Sequence, residues 1–424
     1  MVANAPLRLE DARRLDMDDP LRGFRREFFI PQPQGEPLVY LTGNSLGLQP
    51  VKAREYADQE FHDWATLGVE GHFHSRHPWY YYHHFCEEPL AHVVGAKPTE
   101  VTAMGSLTTN LHLLMVSFYR PTKTRYKILV EASAFPSDQY AMQSQAKFHG
   151  FDPADAIVEA KPRDGESTLR TEDIVALIER HKDSLALVMF GGVNYLTGQC
   201  FDLATITAEA HKHGVMAGFD LAHAAGNMLL QLHDWDVDFA CWCSYKYLNS
   251  GPGGVAGIFV HERHSQNDAL PRFAGWWGTP EDTRFKMAGT FKAQAGAAAW
   301  QTSNAPVLPL AVHRASLELF QLAGMPRLRE KSRKLTLVLQ NVIDEYNATF
   351  PDTPMEVITP INFAERGCQF SIVAREGKTL FNKLSERGVV VDWREPNVMR
   401  MAPVPLYNSF EDVYRLKEAL MSKR

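Results

Sequence analysis

The feature that most limits what this chain can fold into is a strand–helix–strand pattern in its middle. An apolar run at residues 185–190 is followed by a helical segment at 204–213, which Gly214 ends, and then by a second apolar run at 215–219. Asp220 closes the second run. This alternation predicts an α/β fold with a mainly parallel sheet, and it places Asp220 at the carboxyl edge, where open sheets bind their ligands.

The chain divides by composition into three parts. Residues 1–49 mix proline, glycine and charge, and we expect them to form an N-terminal segment that packs on a small C-terminal domain. Residues 50–310 contain the alternating strands and helices and predict a large domain that holds the catalytic machinery. Residues 311–424 begin with long amphipathic helices, such as 328–346, followed by short strands, which predicts a smaller α+β domain.

The charge balance argues against polyanions as partners. The chain has 44 lysines and arginines against 50 aspartates and glutamates, a net charge of -6, which favours neither nucleic acid nor an anionic membrane surface. Five cysteines, an odd and sparse set, are typical of a reducing compartment. Signal-peptide features are lacking, and the apolar runs fall far short of the ~20 residues of a membrane helix. We therefore expect a cytoplasmic enzyme that acts on a small molecule.

Two residues at the predicted ends of buried strands suggest pyridoxal phosphate (PLP) as the cofactor. Asp220 and Lys246 both follow apolar runs, and Lys246 opens into a glycine-rich turn. PLP is an effective electron sink when a carboxylate keeps its ring nitrogen protonated, and a lysine holds it as a Schiff base. A single lysine at a strand end more commonly extends its amine to solvent. The pairing with Asp220 favours the cofactor interpretation.

Two further segments provide candidates for the rest of such a site. Residues 105–110, GSLTTN, precede an apolar helix and offer free amides and hydroxyls to a phosphate, although an ordinary helix cap has the same pattern. Residues 135–138, FPSD, offer the aromatic face of Phe135 for ring stacking with a polar group close behind, although alone they indicate only a turn.

At this point the sequence resembles the kynureninases, PLP-dependent enzymes of the aspartate aminotransferase fold type. The matching segments span most of the chain: GNSLGLQP at 43–50, GH at 71–72, LTTN at 107–110, FPSD at 135–138, FDLAH at 219–223, CSYKYLN at 243–249, GWWG at 275–278, DTRFKM at 282–287, SN at 303–304 and MRMAPVPLYNS at 399–409. The resemblance implies PLP fold type I, with a mainly parallel seven-stranded sheet in the large domain and a smaller α+β C-terminal domain. It also implies a homodimer with active sites at the subunit interface.

The resemblance also assigns roles by position. Cofactor contacts are implied for Leu107 and Thr108 at the phosphate, for Phe135, Pro136, Ser137 and Asp138 along the ring wall, for Asp220 at the ring nitrogen, for His223 beside the phenolic oxygen, and for Tyr245, Lys246, Trp276 and Asn304. Substrate contacts are implied for Ser45, His72, Trp276, Asn304 and Arg400. The catalytic residues would be Lys246, Tyr245 and Asp220. One departure is Gly191, which stands where some members carry a serine near the phosphate.

The implied reaction is hydrolysis of the Cβ–Cγ bond of L-kynurenine or 3-hydroxy-L-kynurenine, which gives L-alanine and anthranilate or 3-hydroxyanthranilate, in tryptophan degradation and NAD biosynthesis. Arg400 is the expected partner of the substrate α-carboxylate, although an ion pair within the small domain would also explain an arginine there. Two alternatives stay within the same cofactor fold, a cysteine desulfurase and an aminotransferase. A desulfurase needs a reactive cysteine on a mobile loop, whereas Cys368 enters an apolar strand.

Two remaining features do not lead to other functions. The histidine-rich segment 71–84 lacks the cysteine and carboxylate ligands of recurring zinc sites, and Cys241 and Cys243 have no second pair, so we expect no metal. A cofactor-retaining regulator without turnover would keep Asp220 and Lys246 but lose the substrate residues. The presence of His72, Asn304 and Arg400 favours an enzyme.

Overall fold

The protein is described by a computed structural model, which covers residues 6–422 apart from residues 34, 266 and 268. The α-helices are α1 Leu9–Met17, α2 Lys52–Leu67, α3 Gly71–His74, α4 His84–Val94, α5 Leu107–Phe118, α6 Pro136–Phe148, α7 Pro153–Ala156, α8 Thr171–His181, α9 Leu203–Lys212, α10 Val307–Ala323, α11 Met325–Thr349, α12 Gly377–Glu386 and α13 Phe410–Met421. In these residues no helix has the length and apolar character needed to cross a membrane.

The strands form three sheets. Their bounds are β1 Val39–Tyr40, β2 Val101–Ala103, β3 Lys127–Glu131, β4 Ile157–Ala160, β5 Leu185–Gly191, β6 Met216–Asp220, β7 Phe239–Trp242, β8 Gly257–Val260, β9 Met355–Val357, β10 Phe370–Ala374, β11 Val389–Val390, β12 Asp392–Arg394 and β13 Val398–Met401. The largest sheet has seven strands in the order β2-β8-β7-β6-β5-β3-β4. All neighbours in it are parallel except β8, which is antiparallel to both β2 and β7. The predicted mainly parallel seven-stranded sheet is confirmed.

The strand–helix–strand pattern of the sequence corresponds to β5, α9 and β6. Helix α9 begins one residue earlier than predicted because Asp202 caps it, accepting a 3.0 Å hydrogen bond from the Thr205 amide. Gly214 follows the helix at φ 65°, a conformation that favours glycine. The central strands are buried, as expected for parallel strands covered by helices on both faces. The chain therefore delivers the ends of β5, β6 and β7 to one edge of the sheet.

A second core lies in the C-terminal part of the chain. It surrounds a four-stranded antiparallel sheet of order β12-β13-β10-β9 and includes Leu339 and Phe370. Ala12, Val39 and Leu41, from the N-terminal segment, belong to the same core, and β1 pairs in parallel with β11. Residues between Ala12 and Leu41 thus contribute to the core of the C-terminal part.

A loop at residues 43–47 brings the N-terminal segment to the edge of the large sheet. A Cβ atom at Gly43 would lie 2.1 Å from the Tyr407 hydroxyl, and one at Gly47 would lie 2.3 Å from the Lys246 carbonyl oxygen. The Gly47 amide donates a 2.8 Å hydrogen bond to the Tyr245 carbonyl. Glycine is therefore required where this loop packs between the C-terminal core and the segment that carries Lys246.

Candidate active site

A cleft lies at the carboxyl edge of the large sheet. Glu131, Gly191 and Asp220 are the last residues of β3, β5 and β6, and all three line this cleft. Cys243, which follows β7, lines it as well. This is where parallel α/β sheets bind ligands, because successive strands deliver their side chains and free backbone groups to the same edge.

Asp220 is buried at the base of the cleft. It is 8% exposed, and its carboxylate accepts a 2.7 Å hydrogen bond from the Ala222 amide. Burial raises the pKa of Asp220, whereas a hydrogen bond from Asp138 and the charge of Lys246 lower it. Burial and the charge of Asp220 raise the pKa of Asp138 well above its usual range. The neutral Asp138 carboxyl therefore donates to Asp220, which keeps the negative charge.

Lys246 lies three residues beyond Cys243 and reaches across the cleft. Its Nζ atom is 3.1 Å from Nε2 of His223 and 5.8 Å from the centroid of the Phe135 ring. His223 is buried, and burial together with the charge of Lys246 lowers its pKa well below the usual range. The imidazole is therefore neutral and accepts from the lysine through Nε2, which leaves the proton on Nδ1.

The cleft also has a wall that is suited to an anion. Helix α5 begins at Leu107, and both Leu107 and Thr108 line the cleft. The first amides of a helix have no partner within it, and the helix dipole adds positive potential at this end. Helix α6 begins nearby, with Phe135 at its cap and Pro136 in its first turn. Phe135, Ser137 and Asp138 line the same wall.

These groups fit PLP. An amine, a buried carboxylate, an aromatic ring and a helix N-terminus converge on one space, as the ring, aldehyde and phosphate of that cofactor require. Nδ1 of His223 is buried and has no hydrogen-bond partner within the part of the chain that the structure describes. A buried donor of this kind indicates that a polar ligand completes the site.

Arg400, on β13, lies behind the wall of the cleft. Its guanidinium is 1% exposed, pairs with Asp392 through Nη2 and donates a 2.7 Å hydrogen bond from Nη1 to the Tyr195 carbonyl. Burial lowers the pKa of Arg400. Tyr195 does line the cleft. Arg400 is thus held at the rear of the wall that Tyr195 forms, and the pairing with Asp392 that an ion-pair interpretation expects is present.

The other substrate candidates lie outside the cleft of this single chain. Ser45 is exposed in the 43–47 loop. His72 packs edge-on against Trp79, with ring centroids 5.5 Å apart. Trp276 is 41% exposed, and its indole donates to the Arg284 carbonyl at 3.2 Å. Asn304 is exposed in the loop before α10 and lines a separate cavity. Within one chain, none of these four residues reaches the cleft around Lys246.

Sequence reasoning did not predict that Glu131, Tyr195 and Cys243 line the cleft. Glu131 is 4% exposed and accepts hydrogen bonds from the Gly191 amide at 3.0 Å and from Asn194 Nδ2 at 3.2 Å. Burial raises the pKa of Glu131 to about 7. A signal was available, because Glu131 ends the apolar run KILVE just as Asp220 ends its own.

The cysteines do not offer a nucleophile. Cys368 is fully buried, and burial raises its pKa to about 12. Burial raises the pKa of Cys86 and Cys200 to about 12 as well, and it also raises the pKa of Cys241 and Cys243. A thiol that stays protonated inside a core does not transfer sulfur.

Comparison with known proteins gives a consistent set of relatives. Residues 328–420 match the family model described as Kynureninase C-terminal domain. The kynureninase of Myxococcus xanthus (strain DK1622) is 57% identical over 411 residues, which cover 96% of each chain. That of Flavobacterium psychrophilum is 55% identical over 413 residues, 97% of each chain. The kynureninase of Nematostella vectensis is 50% identical and covers 96% of this chain and 92% of its own.

Solved structures share the fold at low identity. The cysteine desulfurase CsdA from Escherichia coli aligns with a TM-score of 0.74 and 18% identity over 94% of this chain and 97% of its own. The cystine C-S lyase C-DES aligns with a TM-score of 0.75 and 17% identity, over 90% of this chain and 97% of its own. Another C-DES structure carries glycine covalently linked to PLP. These similarities confirm the predicted PLP fold type I.

Proposed function

The chain belongs to the kynureninase family, and we propose that its reaction takes place in the cleft around Lys246. The enzyme is a PLP-dependent hydrolase that cleaves the Cβ–Cγ bond of L-kynurenine or 3-hydroxy-L-kynurenine. The products are L-alanine and anthranilate or 3-hydroxyanthranilate, a step of tryptophan catabolism that we place on the route to NAD. When bound, PLP accepts the electron pair that is released when the Cβ–Cγ bond breaks.

The single observation that carries this proposal is the convergence of Lys246, His223 and Asp220 on one cleft. The Lys246 amine would anchor the cofactor and, once the substrate amine has displaced it, act as the base that moves the α proton. The neutral His223 accepts from Lys246 without adding a positive charge beside it. Asp220 would face the ring nitrogen, and the hydrogen bond from Asp138 would keep Asp220 ionised.

The remaining contacts follow from the same arrangement. Leu107 and Thr108 would bind the phosphate with their amides at the start of α5, and Phe135, with Pro136 and Ser137 beside it, would cover the ring. Burial raises the pKa of Tyr245, and the neighbouring Cys243 adds a smaller rise. Its phenol is therefore neutral and suited to donate a proton to the γ carbonyl oxygen or the β carbon.

Substrate binding would draw on residues beyond the cleft. We propose Arg400 as the partner of the α-carboxylate, because its Nε atom is buried and has no partner among the described residues. Ser45 and His72 are the proposed contacts from the N-terminal half. A shift of Arg400 toward the cleft on substrate binding, or of Tyr195 away from it, would bring the guanidinium into contact.

We propose a cytoplasmic homodimer in which Trp276 and Asn304 complete the site of the neighbouring subunit. An exposed aromatic surface supports this: Phe73 and Phe285 are 47% and 59% exposed, and their ring centroids lie 6.2 Å apart. The ring of Trp276 lies 5.5 Å from that of Phe285. Exposed aromatic clusters of this kind mark protein interfaces. All five cysteines are free, which suits a reducing compartment.

Subunit complementation tests this dimer. In a mixture of refolded or co-expressed Lys246→Ala and Trp276→Ala chains, each mixed dimer would hold one site with both residues intact. Activity should therefore return well above that of either variant alone. If both residues belong to the same subunit, the mixture would stay as inactive as its components.

We propose the domain division 1–49, 50–310 and 311–424. Its support is that Ala12, Val39 and Leu41 share the core of the C-terminal part. The ion pair between Arg25 and Asp412, at 2.6 Å, supports the same assignment of the N-terminal segment.

The experiment that tests the function is steady-state turnover of the purified holoenzyme on L-kynurenine and on 3-hydroxy-L-kynurenine. We expect anthranilate or 3-hydroxyanthranilate to form in equimolar amount with L-alanine, and the ratio of kcat/KM gives the preference. Absence of turnover on both, with PLP bound, would return the alternatives within this fold. A desulfurase is not favoured, because Cys368 is buried.

A further inference from the structure

We propose that Glu131 is a positioning residue for substrate binding: it fixes the turn at residues 191–195, whose Tyr195 carbonyl holds Arg400. The inference rests on the proposed function, because it takes Arg400 as the partner of the substrate α-carboxylate. It assigns a purpose to a buried acid that neither the cofactor nor the proton transfers described above require.

Glu131 has a defined and unusual environment. It ends β3 beside β5, and its two carboxylate oxygens accept from two different donors of the turn, the Gly191 amide at 3.0 Å and Asn194 Nδ2 at 3.2 Å. A carboxyl group in such a position loses its hydration, which is costly unless its oxygens are hydrogen-bonded. Burial raises the pKa of Glu131 to about 7, and the two donors oppose that rise. Burial of Glu131 therefore lowers the stability of the folded protein.

The residue at position 191 agrees with this role. A Cβ atom on Gly191 would lie 3.2 Å from Glu131 Oε1 and 3.4 Å from Oε2. The 3.2 Å contact is tighter than ordinary packing, so the carboxylate would have to shift by a few tenths of an ångström to admit a side chain there. Glycine at 191 therefore leaves room for the Glu131 carboxylate at its two donors.

Asn194 transmits the position of Glu131 into the turn. While its Nδ2 donates to Glu131, its Oδ1 accepts from the amides of Leu196 and Thr197 at 3.0 and 2.9 Å. Its backbone amide donates to the Gln199 carbonyl at 2.8 Å. With both ends of the side-chain amide bonded, Asn194 cannot rotate without breaking the turn.

Tyr195, the next residue, connects the turn both to Arg400 and to Phe135. Its carbonyl accepts from Arg400 Nη1 at 2.7 Å and from Gln369 Nε2 at 3.0 Å. Its ring packs edge-on against Phe135, with centroids 5.1 Å apart. A displacement of the turn therefore moves the guanidinium of Arg400 relative to Phe135. We propose that Phe135 covers the cofactor ring, so the distance between Arg400 and Phe135 sets where the substrate α-carboxylate binds.

The test is steady-state kinetics of holoenzyme Glu131→Gln. Glutamine keeps the shape and can accept from Gly191, but its amide meets the amide of Asn194 donor to donor. We expect KM for L-kynurenine to rise about tenfold, the order expected for a lost hydrogen bond to a charged group in a buried site. The value of kcat should stay within about twofold, since the side chains of Lys246 and Asp220 are both retained.

A second variant makes the test independent of general damage to the fold. Glu131→Gln combined with Asn194→Asp reverses donor and acceptor, so that the glutamine amide donates to the introduced aspartate carboxylate, which still accepts from Leu196 and Thr197. This pair should restore KM to within about threefold of the original enzyme. The matched control is Glu100→Gln, because Glu100 is equally buried and accepts from the amides of Lys97 and Glu262 but lies away from the cleft. Its KM should be unchanged.

A double-mutant cycle with Arg400→Lys identifies the route of the effect. If Glu131 acts through Arg400, the rise in KM caused by Glu131→Gln should largely vanish in the Arg400→Lys background. Unchanged KM in Glu131→Gln, a loss in kcat equal to the rise in KM, lack of rescue by Asn194→Asp, or full additivity with Arg400→Lys would each overturn the proposal. Failure of the proposed function is a different outcome, since the unmodified enzyme would then not turn over L-kynurenine at all.

Discussion

The Lys246 amine lies 3.1 Å from Nε2 of His223, a histidine that is buried and neutral. Two consequences follow from this contact. The lysine is fixed in orientation by a group that does not repel it, and the remaining imidazole proton, on Nδ1, is available to a ligand. The arrangement positions an amine for covalent chemistry within a cleft that also holds the carboxylate of Asp220.

Removing that charge should disable the enzyme. Asp220→Ala takes away the carboxylate that would keep the ring nitrogen of PLP protonated, so we expect kcat to fall by about a hundredfold or more. Steady-state turnover of L-kynurenine at saturating PLP measures this. Asp202→Ala is a suitable control, because Asp202 caps α9 at an exposed position away from the cleft. Near-normal turnover in Asp220→Ala would refute the assigned role.

Asp138 should tolerate an amide but not truncation. Because its carboxyl is neutral and donates to Asp220, Asp138→Asn keeps a donor of similar shape, whereas Asp138→Ala leaves Asp220 without one. We expect kcat/KM to be within about fivefold of the original for Asn and lower by about tenfold or more for Ala. Equal losses in both variants would mean that Asp138 acts as an ionised group.

Tyr245 should contribute to the chemical steps rather than to binding. Tyr245→Phe removes the phenolic proton while keeping the ring 5.9 Å from Lys246 Nζ. We expect kcat to fall by about a hundredfold, the lower range for loss of a general acid, with little change in KM. A variant that retains kcat would assign the proton transfer to another group.

The ion pairs of His84 predict a pH dependence of stability. Hydrogen bonding to Glu87, together with the charges of Glu87 and Glu281, raises the pKa of His84 to about 9. A raised pKa in the folded state means stabilisation that is complete below the ordinary histidine range and is lost as the pH rises through about 9. The melting temperature of the original protein should therefore exceed that of His84→Gln at about pH 6, and the difference should shrink by about pH 10. A constant difference across this range would show that His84 does not carry the charge.

Sequence reasoning could select the residues proposed to hold the cofactor because their signals are local. Asp220 and Lys246 each end an apolar run, and the strand order of an α/β fold brings such ends to one edge. Helix α9 and strand β5 were predicted to within one residue for the same reason. Glu131 carries the same signal as Asp220, but a single acid after a strand does not reveal that its neighbours will be Gly191 and Asn194.

Long-range contacts were beyond reach. The hydrogen bond from Arg400 to the Tyr195 carbonyl joins residues 205 positions apart. The sequence around either residue does not predict it. The roles of Ser45, His72, Trp276 and Asn304 come from resemblance alone. All four lie outside the cleft of one chain, and the subunit complementation described above tests the role of Trp276.

The most direct test of the account is to identify the lysine that carries the cofactor. Borohydride reduction of the holoenzyme, followed by proteolysis and mass spectrometry, should place the pyridoxyl group on the peptide that contains Lys246, and Lys246→Ala should lose both trapping and turnover of L-kynurenine. A pyridoxyl group on any other lysine, or trapping and turnover that persist in Lys246→Ala, would contradict the account.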